Sequence, residues 1–374
     1  MKIGILTNYN GPNYGAMLQA FALRRKLEDL GHKVVFLRSI WNLHWYVPLW
    51  KCFYGWNLHG VRSKFRDHFR YPITAFSAGF PETAPLPDFA AHVRATSDLD
   101  AVIVGSDQVW NPRWVLPWID IQFLGFAPDS CRKIAYAASF SVDEWGDEKR
   151  QETGSLLRRF DAISVRETNG ERIVRSLCGR NARTVLDPVL LHDAEFYRSF
   201  SATKTESDDK SFFTYFAGST PVASEQRCIK AMREIWPDAR HESDKIPIGR
   251  GPFARLTDQL GISGAVPVAD WLGLIDGASF VLSDSFHGTA FSILFHRPFA
   301  VRLFEGCDRG MNQRILSLLD ILGLRHRVFT DESISRLSSI VASPIDWKGV
   351  DALLAEQREK SVAFLESVLP AVKP

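Results

Sequence analysis

The run MKIGILTNYNGPNYGAMLQAFALRRKLEDLGHKVVFL, residues 1–37, decides the fold. Lys2–Thr7 reads as a short apolar strand, and Asn8–Gly15 is rich in turn residues. From about Ala16 to Leu30, Leu18, Ala22, Leu23, Leu27 and Leu30 recur at helical spacing, and Gly31 stops the helix. Lys33–Leu37 is a second strand. Strand, turn, amphipathic helix and strand in that order predict a doubly wound parallel α/β sheet. Its ligand crevice lies at the C-terminal ends of the strands.

Working outward, residues 41–95 interrupt the rhythm with aromatic, Pro- and Gly-containing sequence, partly helical near Arg62–Phe69. The rhythm resumes with strands at Ala101–Val104, Lys133–Ala137, Ala162–Val165 and Thr184–Leu186. Thr168 and Glu171 have the spacing of a capping box for the helix before the last of these. Thr203–Lys210 reads as a linker, and Ser211–Phe216 starts a second sheet. That sheet continues with Phe280–Ser283, Phe299–Leu303 and Arg327–Phe329, interleaved with helices at Ser224–Trp236, Asp270–Ile275, Thr289–Phe295 and Asn312–Leu322. Val350, Leu353, Leu354, Gln357, Ser361, Phe364, Leu365 and Val368 form one stripe of a closing helix. The expected organisation is two Rossmann-like domains, 1–203 and 204–345, with a C-terminal helix over 346–374.

Composition narrows the class. Of 374 residues, 45 are Lys or Arg and 43 Asp or Glu, and 45% are hydrophobic. Disorder, a coiled coil and a disulfide scaffold are excluded, and so balanced a charge argues against a dedicated nucleic-acid binder. The five cysteines show no paired spacing of a zinc or redox site, so no metal is expected. Residues 1–7 read as a first strand and not as a signal-peptide h-region, and no apolar run approaches the roughly 20 residues that span a bilayer. The expectation is a cytoplasmic protein whose only membrane contact is peripheral, at the inner face.

Four stretches carry candidate chemistry. The first turn lacks the G-x-G-x-x-G spacing of a nicotinamide enzyme, yet Asn13 and Tyr14 stand at a helix start suited to a polar or anionic group. Turn geometry alone also explains its glycines and asparagines. In Gly105–Asn111, Asp107, Gln108 and Asn111 offer hydrogen bonds at the crevice lip, and Trp110 offers a ring for sugar stacking. Asp107 as a helix cap and Trp110 as core is the alternative. Arg166, at a strand end, suits a carboxylate or phosphate, or a plain ion pair. Ser283–Thr289 is the strongest signal. A strand gives way to a helix expected to begin at Thr289, so that Ser285, Gly288 and Thr289 converge donors on an anion. His287 beside them either transfers protons or serves structurally.

Taken together, these blocks resemble the polysaccharide pyruvyl transferase family. The resemblance rests on Asn13–Gln19, Val104–Asn111, Lys133–Ser139, Phe160–Glu167, Leu186–Pro188, Ser283–Thr289 and the run from Arg314, in order over about residues 1–330. It implies the two-domain fold of glycosyltransferase B type. It also implies transfer of the enolpyruvyl group of phosphoenolpyruvate (PEP) to two hydroxyls of a sugar or lipid-linked saccharide, giving a pyruvate ketal and phosphate. No cofactor beyond this donor substrate is implied. By matching motif positions, His287 is the acid/base and Arg166 holds the donor's anionic groups. Gly288, Thr289 and Arg314 assist with the anion, and Asp107 orients or deprotonates the acceptor. The family pattern has an arginine two residues before the histidine, where this chain has Ser285. Either Arg314 or Arg302 is then the substitute, or the donor differs. Two other readings stay open: a nucleotide-sugar glycosyltransferase on the same fold, and a non-catalytic sugar-binding relative.

The chain has eleven tryptophans. Trp236, Trp271 and Trp347 are expected in the core. Trp41, Trp45, Trp50 and Trp56 in the insertion, with Trp110, Trp114 and Trp118, are expected on the acceptor side. A small satellite core under the insertion is the alternative.

Overall fold

The computed structural model describes residues 1–9, 11, 13–39, 71–202, 210–216, 220–246 and 264–369. The first sheet contains β1 (Lys2–Leu6), β2 (Lys33–Phe36), β3 (Ala101–Val104), β4 (Arg132–Ala138), β5 (Ala162–Val165) and β6 (Arg183–Thr184). All are parallel, in the order β2-β1-β3-β4-β5-β6. Ile3 sits between Val34 on one side and Ala101 on the other, so β1 is central and buried. That position explains why β1 and β3 read as unbroken apolar runs.

The second sheet contains β7 (Ser211–Tyr215), β8 (Arg240–Ser243), β11 (Phe280–Ser283), β12 (Phe299–Arg302) and β13 (Val328–Phe329), ordered β13-β12-β11-β7-β8 and again parallel. A short antiparallel ribbon, β9 (Lys245–Ile246) with β10 (Gly264–Ala265), stands beside it. The helices that matter for the site are α1 (Tyr14–Asp29), α2 (Thr168–Cys178), α3 (Val222–Ile235), α4 (Phe286–Leu294), α5 (Asn312–Ile321) and α6 (Trp347–Val368).

The two halves share a core. Tyr14, Met17, Leu18 and Ala22 of α1 pack in one cluster with Trp271, Ala290 and Phe291 of the second half. Tyr14 lies flat on Trp271, ring centroids 4.9 Å apart, and its hydroxyl donates to Val266 O across the join. Each large side chain buried there contributes roughly 1.5–3 kcal/mol, so the halves are held by more than a linker. The closing helix also crosses the join. Val350 and Leu354 of α6 pack with the second half, whereas Phe364 and Leu365 pack under the first sheet. Ser361 Oγ accepts the Leu186 amide, and Arg358 Nε donates to Leu190 O. Leu353, expected in the buried stripe, is exposed.

Two local expectations change. Thr168 is not a cap: α2 follows Glu167 with no side-chain cap, and Glu171 accepts from Thr184 N and Oγ1 instead. The acid three residues in therefore fastens β6 rather than the helix start. Helix α4 begins at Phe286, three residues before Thr289, because Ser285 is its N-cap. The insertion is described only from residue 71 onward; Trp41, Trp45, Trp50, Trp56 and the expected helix near Arg62–Phe69 lie outside the described residues. Trp271 is fully buried, and Trp236 and Trp347 are partly buried against their clusters. Among the described residues, no helix is long and apolar enough to cross a membrane.

Candidate active site

The strand ends of both sheets face one another across an open cleft. Its wall includes Asn13, Tyr14, Asp107 and Gln108 from the first half, and Ser285, Phe286, His287 and Arg314 from the second. Each comes from a loop at a strand C-terminus or the first turns of the helix after it, where a doubly wound sheet leaves backbone and side chains free of the ladder.

Beneath the cleft lies a charged knot. Asp187, in the loop after β6, is fully buried, and its Oδ1 caps the turn Pro188–Leu191 by accepting Val189 N. Its Oδ2 accepts the Ser106 hydroxyl at 2.8 Å and faces Arg166 Nε at 3.3 Å and His287 Nε2 at 3.6 Å. Arg166 also faces Asp107 Oδ1 at 3.6 Å, and its guanidinium lies over the Phe286 ring. Burial alone would raise the Asp187 carboxyl, but the Arg166 charge, with His287 and the Val189 amide, holds it below the usual carboxylate range.

The ion pairs of this knot are held beyond good hydrogen-bond geometry. All three Arg166 guanidinium nitrogens and His287 Nε2 are buried without a hydrogen-bond partner. Arg314 of α5 lines the cleft, donates Nε to Met311 O, and is nearly fully buried. Burial, then repulsion from Arg166, lowers its guanidinium to about 10. An anion entering from the cleft would complete the hydrogen bonds that the Arg166 and His287 nitrogens lack.

His287 stands in the first turn of α4 and is held from the other half of the molecule. A methyl group on Gly15, in the first turn of α1, would stand 1.9 Å from His287 Nδ1. Only a glycine lets the helix and the ring approach so closely. Asp107 takes a left-handed backbone conformation with φ of 72°, an uncommon state for a residue with a side chain. That turn follows β3 and places its carboxylate at the lip.

Several residues singled out from the sequence do other work. Trp110 is completely buried, stacked on Phe123 at 4.9 Å with Nε1–H donated to Gln122 O, so it offers no face to a sugar. Asn111 is buried too; it caps the turn Pro112–Val115 and donates to Gln108 Oε1. The Gly288 amide donates to Ser285 Oγ and the Thr289 amide to Ser285 O, so neither points at a ligand. The helix-start amides left without an intrahelical partner are those of Phe286 and His287. Tyr14 reaches the cleft, but its hydroxyl is spent on Val266 O. Arg302 pairs with Asp331 away from the cleft wall, whereas Arg314 lines it, as does Lys245, which is paired with Glu225.

Asp187 and Gly15 were not among the expected site residues. The Leu186-Asp187-Pro188 motif was visible, but a carboxylate before a proline also reads as a strand stop. Among the described residues, no group of three or more His, Cys, Asp or Glu could hold a metal ion.

The arrangement has known relatives in shape. A UDP-bound Staphylococcus aureus protein, MnaA, matches with a TM-score of 0.55 at 11% identity, covering 100% of this chain and 98% of its own. A Listeria monocytogenes protein described as a UDP-N-acetylglucosamine 2-epimerase matches at TM-score 0.55 and 10% identity, covering 100% and 97%. An Arabidopsis thaliana protein complexed with UDP-L-rhamnose matches at 0.53 and 12%, covering 98% of each chain. These likenesses establish the glycosyltransferase B-type fold. No curated protein matches the sequence. The family model for polysaccharide pyruvyl transferase does match, over residues 13–302. That span holds Asp107, Arg166, Asp187 and His287, and the chain belongs to the polysaccharide pyruvyl transferase family.

Proposed function

We propose that the cleft moves the enolpyruvyl group of PEP onto two hydroxyls of a saccharide, forming a pyruvate ketal and releasing phosphate. The observation that carries this reading is the convergence of Arg166 and His287 on Asp187 with hydrogen-bonding capacity unused, and Arg314 at the cleft wall. A small molecule bearing both a carboxylate and a phosphate is the kind of ligand such a set would satisfy.

The chemistry follows from those groups. A protonated His287 gives its proton to C3 of the enol, leaving positive charge at C2 that the adjacent oxygen shares. The first acceptor hydroxyl attacks C2, and the neutral imidazole or Asp107 takes its proton. Phosphate then leaves with the C2–O electron pair, eased by the guanidinium of Arg314. The second hydroxyl attacks the new C2 cation and closes the ketal. Of the two hydroxyl protons, one replaces that delivered to C3 and the other leaves with phosphate. In this scheme Asp187 fixes the ring of His287 and the guanidinium of Arg166 relative to each other. Arg314 takes the part of the cation that Ser285 does not provide.

Protein mixed with PEP and saccharide acceptors should release phosphate, and His287→Ala should end that release. PEP that neither binds nor turns over with any acceptor would refute the donor assignment. The competing reading is a nucleotide-sugar glycosyltransferase, favoured by fold relatives that carry UDP or UDP-L-rhamnose. It requires UDP, and not PEP, to raise the melting temperature.

A further inference from the structure

Large apolar side chains at the surface of a folded domain are scarce, and two tryptophans stand exposed together here. Trp114 is 58% exposed and Trp118 is 41% exposed. Pro112–Val115 is one α-helical turn and Leu116–Trp118 a 3-10 turn continuing it, and both tryptophans are exposed to solvent along this short stretch. Val115 and Ile119, one position on from each, are buried and anchor that turn to the first-domain core. The rings are therefore displayed by a packed support.

The position of the turn gives this display a direction. It follows Asp107 and Gln108 of the cleft wall within ten residues. Arg113, beside Trp114, reaches across to the second half and donates to Asp308 Oδ1 and Cys307 O. Asp308 belongs to the turn Gly306–Met311, whose last residue lines the cleft. The tryptophans thus stand at the rim where both halves meet. The Arg113–Asp308 pair stands next to Trp114 in the chain, and the exposed Asp120 follows Trp118 by two residues.

We infer that Trp114 and Trp118 form a stacking platform for the sugar units of a polysaccharide acceptor that run out of the cleft. The indole faces would meet the C–H faces of successive pyranose rings, and the mixed polar rim suits their hydroxyls. A bilayer is the poorer fit, because the exposed Asp120, two residues after Trp118, would meet anionic headgroups. The inference rests on the cleft taking a saccharide acceptor, and it does not depend on the donor.

The test is native gel electrophoresis through dextran, galactan and xylan, with hexasaccharides against disaccharides of the same sugars in calorimetry. Wild-type protein should be retarded by at least one polymer and bind its hexasaccharide about tenfold or more tighter than the disaccharide. Trp114→Ala/Trp118→Ala should lose the retardation and the length preference, with an unchanged thermal melt and unchanged PEP binding. Equal retardation of wild type and double variant overturns the inference, as does no retardation in any polymer. Binding to anionic vesicles that disappears in the double variant, with no polymer binding, assigns the face to lipid and also overturns it. If PEP binds neither protein while the platform result holds, the donor reading fails and the platform stands.

Discussion

Gly15 of the first half packs so tightly against His287 of the second that a methyl group on it would overlap the Nδ1 position, at 1.9 Å. The imidazole is therefore positioned by a backbone surface from the other domain. Gly15→Ala should push the ring aside or part the halves slightly. A displacement near 1 Å at a proton-transfer group costs on the order of a hundredfold in rate, with a stability loss of about 1–3 kcal/mol from overpacking. Phosphate release from PEP and urea denaturation measure the two effects. Wild-type turnover in the variant would show that the contact does not position the ring.

Asp187→Asn removes the carboxylate on which Arg166 and His287 converge. Leaving buried cations without their counter-ion typically costs about 3–5 kcal/mol. The folded protein holds this carboxyl below its ordinary acidity. Its contribution is therefore complete above the unfolded value of about 4 and fades only as pH falls through the lower native value. Urea midpoints of the two proteins should differ at neutral pH and converge in strong acid. A difference that grows toward acid pH would contradict the assignment.

Arg314 behaves in the opposite sense. Its charged form is disfavoured in the folded state, with the guanidinium lowered to about 10 by burial and by Arg166. That cost is present at neutral pH and is relieved as pH rises through the native value. Arg314→Met should then be as stable as wild type, or more so, by up to a few kcal/mol on the order of the shift. It should also lose the rise in melting temperature that inorganic phosphate or PEP gives the wild type. A destabilised variant that keeps its phosphate response would mean that Arg314 is structural. Stability surrendered for an anion is a familiar exchange at functional sites.

Tyr14→Phe removes the hydroxyl bond to Val266 O while keeping the stack on Trp271. The expected loss is about 1 kcal/mol. Because the bond joins the halves, hydrogen exchange should quicken at the join before it does in either sheet.

Much of the fold was legible because strands such as Ala101–Val104 and Phe280–Ser283 are short apolar runs bounded by turn residues, and α1 repeats at helical spacing. The start of α4 was misplaced for a local reason: Gly288 reads as a turn residue, whereas here it is helical and lies so close to Ser283 Oγ that no Cβ fits. Trp110 looked like a sugar platform because its indole partner, Gln122 O, lies twelve residues on and leaves no mark in the motif. His287 and Arg166 stood out as charged groups at strand ends. Asp187 did not, since its meaning depends on a histidine a hundred residues later.

The course of α6 bears on how the molecule is made. Ile3, Ile5, Phe36 and Ile103 of the first sheet are covered in part by Phe364, Leu365 and Leu369. On the ribosome, the first sheet emerges long before those residues exist, so one apolar face waits uncovered while the entire second half is translated. The charged knot, which takes His287 from the second half, cannot close before that half has been made.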